Sequence, residues 1–361
     1  MADPRDARLG ALRERMTAAG LDALLVSHLP NIRYLTGFSG TAGLLLVDQA
    51  RVVLITDFRY EVQAAQEAGT RVTLAIERIN SWERLRVILG EAPPASLGFE
   101  AEHLVTRDAE RLTTLSTARV EGRTDLVEGL RLSKSPEEVA AIRRAGVLAL
   151  EALAEVLPAI HPGMSEFAVA AELEAALRRR GSEWHPFPSI VASGPRSALP
   201  HARTSGRLIE AGDLLLLDFG AQVDGYCADI TRTVVVGAPA TARQREVYEV
   251  VRAAQARALA GIRVGQSGRE ADALARDVIA EAGFGAHFGH SLGHGLGLEV
   301  HEAPRLSPTT DLPIPGGVVV TIEPGIYLPG WGGVRLEDDV HLEPDGPVLL
   351  TDGRTELVEL L

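Results

Sequence analysis

The chain has one cysteine, Cys227, in 361 residues, so it forms no internal disulfide and fits a reducing compartment. It has no long apolar run. Stretches such as Leu44–Val47 and Val318–Ile322 are strand-length, far short of the ~18 residues that suggest a membrane span. The opening Met1-Ala2-Asp3-Pro4-Arg5-Asp6 is polar and mixed in charge, which is not a signal-peptide pattern. A cytoplasmic protein without a membrane partner is expected. Basic runs go no further than Arg178–Arg180, and the formal net charge is −13, which argues against nucleic acid as a partner. Nor is there a P-loop, and the glycines at 293–297 lack the strand–helix context of a nucleotide fingerprint.

What is present is the composition of a soluble globular protein, with 46% hydrophobic and 24% charged residues, and a length that suits two domains; the fold class expected is α+β. Residues 1–130 alternate helix-like and strand-like patterns. Leu9, Leu12 and Met16 are spaced as a helix over 5–19, with strands at 23–27, 43–48 and 52–56. A helix over 58–67, a strand over 72–77 and a helix over 82–89 continue a small α/β domain. The second domain, 131–361, is announced by Ser135-Pro136-Glu137-Glu138, a capping box with proline in the first turn.

That domain contains an internal duplication. Gly163-Met164-Ser165 opens a helical stretch closing at Gly181, and Gly265-Gln266-Ser267 opens one closing at Gly283. The strand of Gly212–Gly220 parallels that of Gly317–Gly325, each with an acid, Asp218 or Glu323, six residues after the first glycine. His201 and His301 follow the same order. Two half-domains related by a pseudo-twofold axis are expected, with their acids meeting near it.

Asp224-Gly225 is a two-residue hairpin signal. A turn there places Asp218 opposite Thr231, with Asp229 two residues away on the same face. Two carboxylates so placed behind four leucines repel unless a cation lies between them. In the second half, Glu323 ends an apolar strand, Trp331-Gly332-Gly333 reads as a turn, and Arg335 and Glu337 share a face of the next strand. A one-residue slip exchanges Glu337 for Asp338. Three of the ten histidines, His290, His294 and His301, fall within twelve residues. The first two are four apart, as on a zinc-binding helix, but the interleaved glycines favour a strand. Four carboxylates balance two divalent cations, and an oxygen-rich set with one imidazole suits Mn²⁺, Co²⁺ or Zn²⁺.

The segments LDFG with DITRT, GHSLGHGLGLEVHE, TIEPGIY and GGVRLEDD resemble the metallopeptidase family of aminopeptidase P, prolidase and methionine aminopeptidase. The resemblance implies the pita-bread fold and five metal ligands, Asp218, Asp229, His294, Glu323 and Glu337. It makes Glu323 a proton relay, His201, His290 and His301 the histidines that contact substrate and intermediate, and Arg335 the support of the bridging carboxylate. The N-terminal domain and His290 resemble the proline-specific branch rather than methionine aminopeptidases. The N-terminal stretches NIRYLTGF and TDFRY resemble small bacterial Xaa-Pro peptidases, which implies a homodimer; a surface helix start explains Arg59 and Tyr60 equally well. The expectation is an exopeptidase dependent on two metal ions, Mn²⁺ foremost, cleaving peptides with proline second, with an aminopeptidase preferred over an Xaa-Pro dipeptidase. A non-catalytic peptide-binding protein on this fold, the alternative class, would have lost ligand positions.

Overall fold

The computed structural model describes residues 3–361, which divide into two units between Arg131 and Leu132. In the first, Asp3 caps the helix Pro4–Ala18, and Leu9, Leu12 and Met16 are all buried. A six-stranded mixed sheet has Ala23–Val26 near its centre, antiparallel to Leu44–Asp48 and parallel to Ser96–Glu100. Val52–Asp57, Thr73–Glu77 and Arg119–Arg123 complete it. Its core gathers Leu25, Leu46, Ile55, Leu85 and Leu97. The helix expected from 58 begins as a tight turn, Phe58–Tyr60, before Glu61–Ala68. Besides a short turn at Gly69–Arg71, five elements go beyond the sequence expectation: the helices Leu29–Thr36, Thr106–Leu115 and Glu128–Arg131 and the strands Ser96–Glu100 and Arg119–Arg123. The last reads Arg-Val-Glu-Gly-Arg and lies at the sheet edge, so it has no need of an apolar face.

In the second unit, Ser135 and Glu138 form the capping box of the helix Pro136–Val156. The duplication is visible in the hydrogen bonds. Ser165 caps Glu166–Arg179 and Ser267 caps Gly268–Glu281. Gly163 N donates to Ile209 O at 2.8 Å, and Gly265 N donates to Ile314 O at 2.9 Å. Two sheets follow. One orders Val358–Leu360, Ile230–Val236, Asp213–Phe219 and Ile190–Ser193; the other orders Glu302–Leu306, Gly293–Gly295, Val319–Ile322, Asp338–Glu343 and Gly346–Leu349. Each packs helices onto its own apolar cluster. The sheets meet where Thr231 bridges Glu337, residues at equivalent places in the two halves. A pseudo-twofold axis therefore runs between them. Among the described residues, no helix is long and apolar enough to cross a membrane.

Two local details shape the centre of this unit. Asp224 (φ 52°) and Gly225 (φ 81°) form the expected turn, and Asp218 pairs with Thr231. The second hairpin pairs Gly325–Leu328 with Gly332–Arg335, so its turn is Pro329–Trp331 and not Trp331–Gly333. Gly332 and Gly333 are instead strand residues. A Cβ on Gly333 would lie 2.3 Å from Ser197 O, so the close approach of the Gly194–Ala198 turn selects glycine there.

Candidate metal centre

The strand Asp213–Phe219 buries Leu214–Leu217 and delivers Asp218 at its end. Past the hairpin turn, Asp229 returns to the same region just before Ile230–Val236. The strand Val319–Ile322 delivers Glu323, whose N–H donates to Leu292 O at 2.8 Å and holds it against the segment bearing His290 and His294. In that segment Gly293–Gly295 forms a strand, not a helix, and the residues after it bend as a loop up to His301. A Cβ on Gly293 would lie 1.9 Å from Thr321 O, so only glycine lets the two strands approach so closely. From below, the Asp272–Arg276 pair steadies the segment, since Asp272 accepts from Leu292 N and Arg276 donates to the carbonyls of Phe288 and His290.

Asp229, His294 and Glu337 present ligand atoms all within 4.8 Å of one another. Nε2 of His294 lies 3.4 Å from Glu323 Oε1 and 3.9 Å from Asp229 Oδ2. Asp218 is drawn to Arg335, which pairs with it and also donates to Thr231 Oγ1 at 3.0 Å and to the Tyr327 hydroxyl at 2.8 Å. Thr231 Oγ1 in turn donates to Glu337 Oε2 at 2.5 Å. Arg335 thus holds one carboxylate directly and a second through Thr231. The structure places Glu337, rather than Asp338, in the cluster. Asp338 turns away to Arg232, Gln255 and Thr351.

The electrostatics suit a cation. Burial, reinforced by the Glu337 charge, holds Asp229 and Glu323 well above the ordinary carboxylate range. Burial and then Asp218 push Glu337 up to about 8. Asp218 is raised by burial although Arg335 opposes it. Burial and the neighbouring His301 lower His294 to about 4, so it is a neutral imidazole with a lone pair at pH 7. Buried Asp229 Oδ1 has no hydrogen-bond partner among the described residues, which costs free energy unless a ligand satisfies it. An oxygen-rich set of this kind, with one nitrogen, fits divalent cations.

The remaining predicted residues border this cluster. His301 is exposed, with its ring centroid 4.4 Å from that of His294. His201 lines an open cavity of about 620 Å³ with Phe167, Leu199 and Pro200, and its field reaches Asp218. His290 differs, because both its ring nitrogens are engaged: Nδ1 with Ser291 O and Nε2 with the Tyr327 hydroxyl, each at 2.8 Å. Tyr327, Thr231 and Arg305 were not singled out from sequence. Thr231 carried a signal, lying two residues after Asp229 on one strand face. Arg305 carried none until the pairing of His294 with Arg305 was known.

The description of metallopeptidase family M24 matches residues 140–344, and that of the creatinase/prolidase N-terminal domain matches residues 8–133. The chain belongs to metallopeptidase family M24. Membership implies divalent metal ions and agrees with the cluster's donor set. The Xaa-Pro dipeptidase of Pyrococcus horikoshii is 37% identical, over 96% of this chain and 97% of that protein. Among solved structures, the Xaa-Pro dipeptidase of Bacillus anthracis is 41% identical with a TM-score of 0.95, covering 99% of this chain and 100% of that one. The X-Pro aminopeptidase of Thermotoga maritima is 36% identical with a TM-score of 0.91, covering 97% and 99%. The pita-bread fold and the α/β N-terminal domain expected from sequence are those of these M24 relatives.

Proposed function

We propose that this M24 enzyme is an exopeptidase that hydrolyses the bond between an N-terminal residue and proline, with the Xaa-Pro dipeptide as its preferred substrate. The observation that carries the dipeptide preference is Arg305. It stands opposite His294 on the neighbouring strand, is exposed, and its guanidinium has no hydrogen bond or ion pair among the described residues. Its charge acts on both His294 and His301. A cation held beside the reacting centre fits the free carboxylate of a dipeptide, which a longer peptide lacks at that place. The names of the Pyrococcus and Bacillus relatives support this choice. The resemblance carried by the small N-terminal domain favours longer peptides, and the Thermotoga aminopeptidase keeps that as the second reading.

Asp218, Asp229, His294, Glu323 and Glu337 would hold two divalent cations, Mn²⁺ first among them. Bound there, the ions would supply an ionised water at neutral pH and offset the negative charge developing on the scissile carbonyl oxygen. Glu323 takes the proton of the attacking water and returns it to the departing proline nitrogen. His201 and His301 flank the scissile carbonyl as hydrogen-bond donors. His290 acts by orienting Tyr327, which with Arg335 fixes Asp218. The working enzyme is read as a cytoplasmic homodimer, which sedimentation of the purified protein tests.

Substituting Arg305→Ala tests the substrate assignment. The expected result is a rise in KM for an Xaa-Pro dipeptide of roughly 10- to 100-fold, since a lost hydrogen bond to a charged group costs about 1.5–3 kcal/mol. Hydrolysis of the matching Xaa-Pro-Xaa tripeptide should be unchanged. An equal loss on both substrates refutes the role of Arg305.

A further inference from the structure

The ladder between the strands Gly293–Gly295 and Glu302–Leu306 is broken beside the metal centre. Gly293 faces Leu306 and His294 faces Arg305, but the next pair is Gly295 with Glu302. One step on the first strand is matched by three on the second, so Ala303 and Pro304 bulge out. Regular strand pairing therefore does not fix the connecting loop, which ends on His301.

The side chain of Glu302 supplies what the ladder lacks. Its Oε1 accepts from Glu299 N at 3.1 Å and closes the loop from within. Its Oε2 lies 2.9 Å from Lys134 Nζ, and the two side chains are only 8% and 1% exposed. Lys134 is itself anchored, because its backbone N–H donates to Gly317 O at 2.7 Å, at the entry to the strand that delivers Glu323. The loop backbone presses on the pair: a Cβ on Gly297 would lie 2.9 Å from both Glu302 carboxylate oxygens and 3.0 Å from Lys134 Cε. The ion pair thus ties the loop bearing His301 to the same strand assembly that presents Glu323.

We infer that the buried Lys134–Glu302 ion pair is a positioning device that holds His301 in register with the metal centre. The inference rests on the reading of His301 as a substrate-contacting residue. Buried ion pairs generally add little net stability over apolar replacements, so geometry is the contribution to test.

The test is a cycle of variants assayed on an Xaa-Pro dipeptide with metal content measured in each. Lys134→Met with Glu302→Gln removes both charges and leaves neither stranded. The expected result is a fall in kcat of roughly 10- to 100-fold, the size of effect that a displacement near 1 Å produces, with bound metal unchanged. Adding the same two substitutions to a His301→Ala enzyme should cost nothing further, because the pair acts through His301. Gly297→Ala keeps both charges but pushes the pair apart, and the same dependence on His301 is expected should the double variant fail to fold. Losses that multiply in the His301→Ala background, or an unimpaired double variant, overturn the inference while leaving the assigned reaction intact. A His301→Ala enzyme as active as the wild type overturns both the inference and the role of His301.

Discussion

Stripping the metal should turn the site's own carboxylates against the fold, in a way that pH reveals. Without a cation, Glu337 titrates near 8 instead of its ordinary 4.5, held there by burial and by Asp218. Between those values the folded protein keeps a proton that the unfolded chain releases, so unfolding becomes easier as pH rises. Buried histidines work the other way. His290 and His294 are lowered from 6.5 to about 4, and their effect on stability is complete by pH 6.5. The window that isolates the carboxylates is therefore pH 6.5 to 8. Across it, Glu337 alone costs about 2 kcal/mol at about 1.4 kcal/mol per pH unit. For a unit of this size that is a fall in Tm of roughly 4–8 °C. Asp229 and Glu323, also held well above the ordinary carboxylate range by burial, act in the same direction. Bound cations replace these protons, so the rise in Tm on adding Mn²⁺ should grow with pH. Calorimetry of chelator-treated and Mn²⁺-loaded protein at pH 6.5, 7.25 and 8 checks this. A metal-free Tm that is flat or rising, with a metal increment independent of pH, refutes the electrostatic reasoning.

Two substitutions probe separate parts of the account. Glu323→Gln should leave the protein folded but reduce kcat by roughly 10²- to 10⁴-fold, the range of general acid–base catalysis, when the metal content is measured and matched. Arg232→Met should cost about 3–5 kcal/mol in urea unfolding, because it strands the buried Asp338 carboxylate and frees the backbone carbonyl of Glu337; a cost under about 1 kcal/mol would show that the pair is dispensable.

Much of this architecture was legible because it rests on local chemistry. Ser135, Ser165 and Ser267 cap helices as their spacing implies, and Asp224-Gly225 forces the register that sets Asp218 opposite Thr231. The duplication was readable because two halves sharing one fold need glycines with positive φ at equivalent helix ends. Other features were hidden for physical reasons. The choice between Glu337 and Asp338 depends on Arg232 and Gln255, which sit far away in sequence and claim Asp338. The turn at Pro329–Trp331 was misplaced because Gly332 and Gly333 serve packing against Ser197 rather than reversal of the chain. Arg305 gave no signal because a bulge sets its position opposite His294.

Hydrolysis at Xaa-Pro by residues holding divalent cations is decided by returning metal to the stripped protein. Metal-stripped protein is resupplied with Mn²⁺ and given an Xaa-Pro dipeptide and the matched Xaa-Pro-Xaa tripeptide. The expected result is no cleavage before metal is added, then cleavage of the dipeptide with a kcat/KM well above that for the tripeptide. Cleavage of neither peptide by protein shown to have bound the metal would contradict it.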